Sequence, residues 1–276
     1  METIVEKHSI KGGEFLIRET NCQEIFISED FSEEQKMMAE ATKDFIKKEI
    51  YPNIEKIEKQ EDGILPHLME KAGELGLLGI SIPEEYGGLG MNFNTSMLIA
   101  DKIGATGSFS TAYGAHTGIG TLPILYYGTE EQKQKYLPRI VSGEWKSCYC
   151  LTEPDSGSDA NAGKTKAVLT KDGKHFLITG QKMWISNGGF ADFLIVFAKI
   201  EDDKKLSAFL VEKTFGGITM NDEEVKLGIK GSSTRQIFFN ETKVPVENLL
   251  SSRENGFKIA VNILNIGRIK LGAGVI

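Results

Sequence analysis

The hydrophobic pattern of the chain changes period near residue 147, and this change limits the folds open to it. Before that point apolar residues recur at helical spacing, and capping boxes at residues 32–35 and 129–132 precede two of these stretches. After it, β-branched and aromatic residues follow a period of two, with a turn predicted at Asp172 and Gly173. Strands are predicted over 164–170, 175–179, 193–199, 207–212 and 236–239.

Prolines and glycines set the expected helix ends. The helix after the first capping box is predicted to run until Pro52, and the one after the second to stop at Pro138. Pro66 is expected to open a helix that Gly76 closes. A further helix is predicted over 94–103.

Helical spacing returns near the end of the sequence. From about Asn255 it passes through Phe257, Val261, Leu264 and Arg268, and it reaches Ile276 without a capping signal. We therefore expect an α+β protein in three parts: an N-terminal helical domain (1–147), an antiparallel β-sheet or small barrel (148–252), and the first helix (253–276) of a C-terminal helix bundle that is missing.

Charge and composition disfavour several classes of function. A net charge of -7 over 276 residues, without a Lys/Arg cluster, disfavours nucleic-acid binding. The first seven residues are too charged for a signal peptide, and no apolar stretch is long enough for a membrane helix, so a cytoplasmic location is expected. Three cysteines and four scattered histidines lack ligand spacing, so no metal site is predicted and Cys148 and Cys150 are interpreted as buried thiols.

Two segments carry the strongest functional signal. Residues 148–159 pass from an apolar strand into a small-residue loop with hydroxyls and free N–H groups, which suits an anionic pyrophosphate beside a flat ring. Residues 183–189 offer Trp184, whose face could pack on such a ring, followed by the Ser186 hydroxyl. Together they predict half of a flavin site.

Several single residues also allow a structural interpretation. Alone, Trp184 would more often be a core aromatic. Glu153, Asp155 and Asp159 are interpreted as turn-forming and solvated, and His116 as a satisfied structural group rather than a base. No dinucleotide fingerprint or P-loop is present in the sequence.

The order of these parts and motifs resembles the acyl-CoA dehydrogenase family, and within it the very-long-chain branch most closely. The resemblance covers nearly the whole chain. It is carried by residues 114–120, 136–138, 152–154, 184–189, 215–219, 227–230, 244–245, 247–248 and 263–268.

The resemblance implies FAD as cofactor and assigns the site residues. Those expected at the flavin are Tyr149, Cys150, Leu151, Thr152, Ser158, Trp184, Ile185 and Ser186. Those expected at the fatty acyl-CoA substrate are Ser158, Asn265 and Arg268, although many relatives carry an acid where Asn265 stands.

The family reaction is α,β-dehydrogenation, in which a Glu removes the α proton and the β hydrogen leaves as hydride. It needs a positioned base, a polarised carbonyl and a dry pocket. In most of the family the Glu lies in the C-terminal domain, and in a minority it precedes the arginine that matches Arg268, where this chain has Gly267. The base is therefore expected beyond Ile276, and the 276 residues alone are expected to be inactive.

The resemblance also implies partners. An electron-transfer flavoprotein is the expected electron acceptor, and the full-length protein is expected to be a homo-oligomer. Two other classes of protein are also consistent with the sequence: a flavin oxidase or monooxygenase on the same fold, and a non-catalytic acyl-CoA or flavin-binding protein.

Three glycines in one helical stretch bear on acyl chain length. Glycine within a helix costs about 1 kcal/mol relative to alanine, so Gly114, Gly118 and Gly120 need a compensating reason. Room for a long acyl chain is one reason, and close helix packing or a break in the helix is another.

Overall fold

A computed structural model describes Ile10 and residues 12–276 of the chain. Helices dominate its first half, strands its second, and a helix follows them. The α-helices are α1 Glu33–Phe45, α2 Ile54–Glu58, α3 Ile64–Glu74, α4 Phe93–Gly104, α5 Ser108–Gly114, α6 Leu122–Tyr127, α7 Glu130–Val141 and α8 Gly256–Gly274. The strands are β1 Ser147–Cys150, β2 Lys166–Leu169, β3 His175–Ser186, β4 Phe193–Ile200, β5 Ser207–Glu212, β6 Ile218–Met220, β7 Thr234–Pro245 and β8 Leu249–Leu250.

Local capping signals are confirmed. Ser32 and Thr129 each accept a hydrogen bond from the backbone N–H three residues on, and Gln35 and Gln132 complete the two capping boxes. Gly76 follows α3 in the left-handed region, at φ 72°, as a helix-ending glycine should.

The two predicted proline stops are wrong. Helix α7 continues through Pro138 to Val141, because the residues beyond the proline, Ile140 and Val141, are buried against the core and offset the single lost backbone bond. Near Pro52 the chain stays helical in altered form, with a π-helical turn at Ile46–Ile50 and a 3₁₀ turn at Tyr51–Asn53 leading into α2.

The sheet is mixed rather than antiparallel. The strand order is β6-β7-β3-β2-β4-β5-β8, with β1 also paired to β4. The β2–β3 hairpin forms as predicted, but both β1 and β2 pair with β4 in parallel. The antiparallel expectation rested on neighbouring hairpins, whereas these two pairs join strands that are not consecutive.

Strand β4 lies between two hydrophobic cores, so the helical part and the sheet share a boundary there. Phe193, Ile195 and Phe197 face a core that includes α6, α7 and α8. Leu194 and Val196 face a second core within the sheet, together with the predicted buried thiols Cys148 and Cys150, whose sulfurs lie 3.7 Å apart. A third core lies among α1, α3, α4 and α5.

Helix α8 buries a different face from the one its sequence suggested. Its buried apolar residues are Ile259, Ala260 and Ile263, which pack on the sheet and on α6. Phe257 and Val261 of the predicted apolar stripe are exposed. The helix carries apolar residues on more than one face, so its sequence alone does not select the buried one.

In the described residues no helix is both long and apolar enough to cross a membrane. The charged segment 1–7, considered above as a signal peptide, and His8, considered above as a metal ligand, lie outside the described residues.

Candidate functional site

The two segments singled out in the sequence lie side by side. The backbone N–H of Met183, near the end of β3, donates to the Thr152 carbonyl oxygen over 2.8 Å. The Lys182 ammonium donates to the Leu151 carbonyl over 3.2 Å. The loop after β1 and the end of β3 therefore form two adjoining walls.

Trp184 is held in an unusual conformation at this junction. Its φ is 61°, in the left-handed region that bulky residues rarely adopt, and the β3–β7 register shifts between Lys182 and Ile185. The side chain is nevertheless 56% exposed. Strained backbone of this kind persists where surrounding structure enforces it, often at ligand sites. The bulge thus presents a flat aromatic face beside Thr152.

The loop beyond Thr152 presents free hydrogen-bond donors. Within the described part of the chain, no group accepts from the backbone N–H of Gly157, Ser158 or Asp159. The Ser156 hydroxyl donates to the Asp159 carbonyl over 2.8 Å and so holds the loop closed. Successive free N–H groups in a turn attract anions.

Several predicted flavin residues have side chains that cannot line this surface. Cys150 and Ile185 are buried in the core of the sheet, and Tyr149 and Leu151 face the core shared with the helices. The Tyr149 hydroxyl has no hydrogen-bond partner in the described structure, and burial raises its pKa. These four residues are available to a ligand chiefly through their main chain, whereas Thr152, Ser158, Trp184 and Ser186 have accessible side chains.

A cavity of about 460 Å³ begins beside Ser186 and runs between α4, α5, the π-helical turn Ala115–Gly120 and α8. Arg268 lines it as well, so the structure brings together a predicted flavin residue and a predicted substrate residue. Ser158 and Asn265 do not line it; Asn265 is exposed and accepts a 2.5 Å hydrogen bond from Arg268. The walls are largely apolar, and this size suits a chain-like ligand.

The three glycines of the helical stretch have different roles. A Cβ atom built on Gly114 or Gly118 would meet nothing within 4 Å, and both residues line the cavity. On Gly120 a Cβ would lie 2.3 Å from the Ser147 hydroxyl oxygen. Gly120 therefore permits close packing, while the other two leave space.

Glu153 was interpreted as solvated, and that interpretation is wrong. It is 6% exposed and accepts hydrogen bonds from Lys182, over 2.6 Å, and from the Lys164 and Thr165 N–H groups. Burial would raise its pKa, but the charge of Lys182 and these hydrogen bonds outweigh burial and lower it. Asp155 and Asp159 are exposed, as expected.

The sequence held an unused signal for this ion pair. Alternation in β3 puts Lys182 on the same buried face as Phe176 and Ile178. A lysine at an inward position of a strand requires a buried partner. The partner is Glu153, and the pair fixes the two walls against each other.

His116 is a structural group, as interpreted. It is fully buried; Nε2 lies 3.0 Å from the Ile140 carbonyl oxygen, and Nδ1 accepts from the Ser147 N–H over 3.1 Å. Burial lowers its pKa to about 4. The imidazole is neutral with both nitrogens occupied, and it ties α7 to β1. Among residues 12–276, no group of three or more His, Cys, Asp and Glu side chains is placed to hold a metal ion.

Two family models match the chain. Residues 32–144 match the model described as acyl-CoA dehydrogenase, N-terminal domain, and residues 148–242 match the model described as acyl-CoA dehydrogenase, middle domain.

Individual proteins agree with this match. The chain is 52% identical over 266 residues to a probable acyl-CoA dehydrogenase of Bacillus subtilis, an alignment of 96% of this chain and 45% of that protein. It is 45% identical over 226 residues to the rat mitochondrial very long-chain specific acyl-CoA dehydrogenase, covering 79% of this chain and 34% of the relative. A crystal structure of acyl-CoA dehydrogenase complexed with FAD from Bacillus anthracis superposes with a TM-score of 0.93 at 50% identity, over 96% of this chain and 45% of that one. The chain thus spans less than half the length of these relatives.

Proposed function

The chain belongs to the acyl-CoA dehydrogenase family, and we propose that the whole protein oxidises a long-chain fatty acyl-CoA to the trans-2-enoyl-CoA with FAD. The observation that carries the proposal is the exposed, strained Trp184 beside Thr152, next to a loop with three free N–H groups. A flat ring joined to a pyrophosphate fits both features.

The residues present fit FAD, and each has a proposed role. Trp184 packs on the flavin ring, Thr152 and Ser186 supply hydroxyls at its edge, and the main chain of Tyr149, Cys150, Leu151 and Ile185 supports it. The N–H groups around Ser158 receive the pyrophosphate. When bound, FAD supplies the hydride acceptor of the reaction.

The cavity is the proposed acyl site. Its apolar walls exclude water from the reacting carbons, and Arg268 at its lining is available to the CoA portion, with Asn265 holding the guanidinium. Ser158, on the loop, is proposed to contact the thioester arm. No Asp or Glu is among the described residues that line the cavity. We therefore propose that these 276 residues alone do not turn over substrate and that the base comes from outside them.

Substitution of Trp184 tests the flavin site. In the Trp184→Leu variant, FAD affinity should fall about two- to twelvefold, because an aromatic contact of this kind contributes ~0.5–1.5 kcal/mol. Titration with FAD, followed by tryptophan fluorescence and flavin absorbance, measures the change. Trp145→Phe is the matched control, since the second tryptophan of the chain packs on Phe193 away from this surface. Equal FAD affinity in all three proteins would contradict the proposed site.

Gly114 tests the acyl site. A leucine side chain there would fill the open space, so binding of a long acyl-CoA should weaken about tenfold more than binding of a short one. Gly272→Leu is the control: it is also helical, with nothing within 4 Å of its Cβ position, but it does not line the cavity. Calorimetric titration with hexadecanoyl-CoA and butyryl-CoA gives both affinities. An unchanged chain-length profile would remove the support for a long acyl substrate.

The whole protein is proposed to need an electron acceptor and to assemble with copies of itself. We propose an electron-transfer flavoprotein as electron acceptor, a homo-oligomeric state, a cytoplasmic location, and domains divided at residues 147 and 252. Oxygen consumption without an added acceptor would instead favour a flavin oxidase or monooxygenase. Tight ligand binding without flavin reduction, in a protein that ends at Ile276, would favour a binding protein.

A further inference from the structure

The acyl cavity contains a lysine that no carboxylate of the described residues neutralises. Lys270 of α8 lines the cavity, and it also lines a small neighbouring one of about 10 Å³, room for roughly one water molecule. In the described structure its ammonium has no hydrogen-bond or ion-pair partner. Its side chain is half-buried, and this desolvation lowers its pKa to about 8, with no opposing charge to restore it.

A second unsatisfied polar group lies on the same wall. Ser96 of α4 is 5% exposed, lines both cavities, and has a hydroxyl without a partner in the described residues. The neighbouring hydroxyls are already committed: Tyr113 donates to the Leu77 carbonyl over 2.7 Å, and Thr117 to the Tyr113 carbonyl over 2.9 Å. Among the described residues that line both cavities, Lys270 and Ser96 are therefore polar groups whose side chains have no partner.

The charges around the cavity have one sign. Its charged lining residues are Arg268 and Lys270, and the described lining of the two cavities includes no Asp, Glu or His. Covering the half-buried Lys270 ammonium with a plain alkyl chain removes its remaining water without compensation, which is costly. A ligand that brings its own carboxylate avoids that cost by forming an ion pair supported by a hydroxyl.

We propose that Lys270 and Ser96 form a recognition site for a carboxylate carried on the acyl chain, so that the cavity favours thioesters of dicarboxylic acids over plain fatty acyl thioesters of equal length. Lys270 binds the carboxylate and the Ser96 hydroxyl donates a hydrogen bond to it. The inference rests on the proposed acyl-CoA function and narrows its substrate class.

Matched thioesters test the site. Hexadecanoyl-CoA is compared with the mono-CoA thioester of hexadecanedioic acid, and octanoyl-CoA with that of octanedioic acid, by calorimetric titration of the protein. In at least one pair the carboxylated ligand should bind about tenfold more tightly, or ~1.4 kcal/mol. Lys270→Met should abolish this preference and strengthen binding of the plain thioester. Ser96→Ala should reduce the preference, and Lys258→Met, an exposed lysine on the same helix, should leave it intact.

The titrations distinguish failure of the proposed acyl-CoA function from failure of the carboxylate site. If no thioester binds, the proposed function fails. If plain thioesters bind as tightly as carboxylated ones, both in the unsubstituted protein and in Lys270→Met, the acyl function stands and the carboxylate site is overturned. If Lys270→Met keeps the same preference for carboxylated thioesters as the unsubstituted protein, another group binds the carboxylate, which also overturns the site.

Discussion

Replacing Lys182 with methionine is expected to lower the free energy of unfolding by about 3–5 kcal/mol. The Lys182 and Glu153 side chains are 0% and 5% exposed, with 2.6 Å between Nζ and Oε1. The substitution leaves the Glu153 carboxylate buried without its counter-charge, although two backbone N–H groups still donate to it. Urea unfolding near pH 7, followed by circular dichroism, measures the loss.

The chain offers a matched control on the same loop. Lys164 and Asp155 form an ion pair of nearly equal length, 2.7 Å, but their side chains are 75% and 73% exposed. Lys164→Met should cost less than about 1 kcal/mol, because water screens an exposed pair. A Lys182→Met/Glu153→Leu double variant removes both charges. It should lose less free energy of unfolding than Lys182→Met does, although two backbone N–H groups lose their hydrogen bonds to Glu153. Similar losses for Lys182→Met and Lys164→Met would show that burial does not govern the strength of the pair.

The Lys182→Met substitution should also affect the proposed flavin site. Lys182 binds the carbonyl of Leu151 on one wall and precedes the strained Trp184 on the other. Loosening the two walls removes the constraint that keeps Trp184 at φ 61°. FAD affinity should therefore fall in Lys182→Met, while it stays unchanged in Lys164→Met.

Local signals in the sequence predicted what depends on near neighbours. The capping boxes at Ser32 and Thr129, and the turn at Gly173, form as expected because each needs only a few consecutive residues. The two segments proposed to hold the flavin were singled out in the sequence by an aromatic residue and a small-residue loop, and the structure places them side by side.

Features that depend on distant residues were not predicted. The parallel pairing of β1 with β4 and the burial of Ile259 rather than Phe257 depend on which surfaces meet in the folded chain. The passage of α7 through Pro138 is a case where burial outweighs a local rule. Glu153 appeared solvated because its partner Lys182 is distant in the sequence.

Acidification from near pH 7 to near pH 4 is expected to cost the folded protein about 3 kcal/mol through His116 alone. Its pKa falls from the ordinary 6.5 to about 4 on folding, so between these values the unfolded chain binds a proton that the folded chain does not. The contribution of neutral His116 to the free energy of unfolding is therefore fully present above pH 6.5 and is lost as the pH falls towards 4. Between these two pKa values the loss is about 1.4 kcal/mol for each pH unit. Urea unfolding at a series of pH values measures it.

The geometry explains this direction and supplies the control. With Nε2–H donating to the Ile140 carbonyl, a proton added to Nδ1 would displace the bond from the Ser147 N–H and place an uncompensated charge in the core, near Lys146. His116→Gln retains a donor and an acceptor but does not titrate, so its stability should fall less steeply below pH 6.5 than that of the unsubstituted protein. Parallel profiles for the unsubstituted protein and His116→Gln would mean that folding does not lower the pKa of this imidazole, and its burial between α7 and β1 would then not oppose protonation.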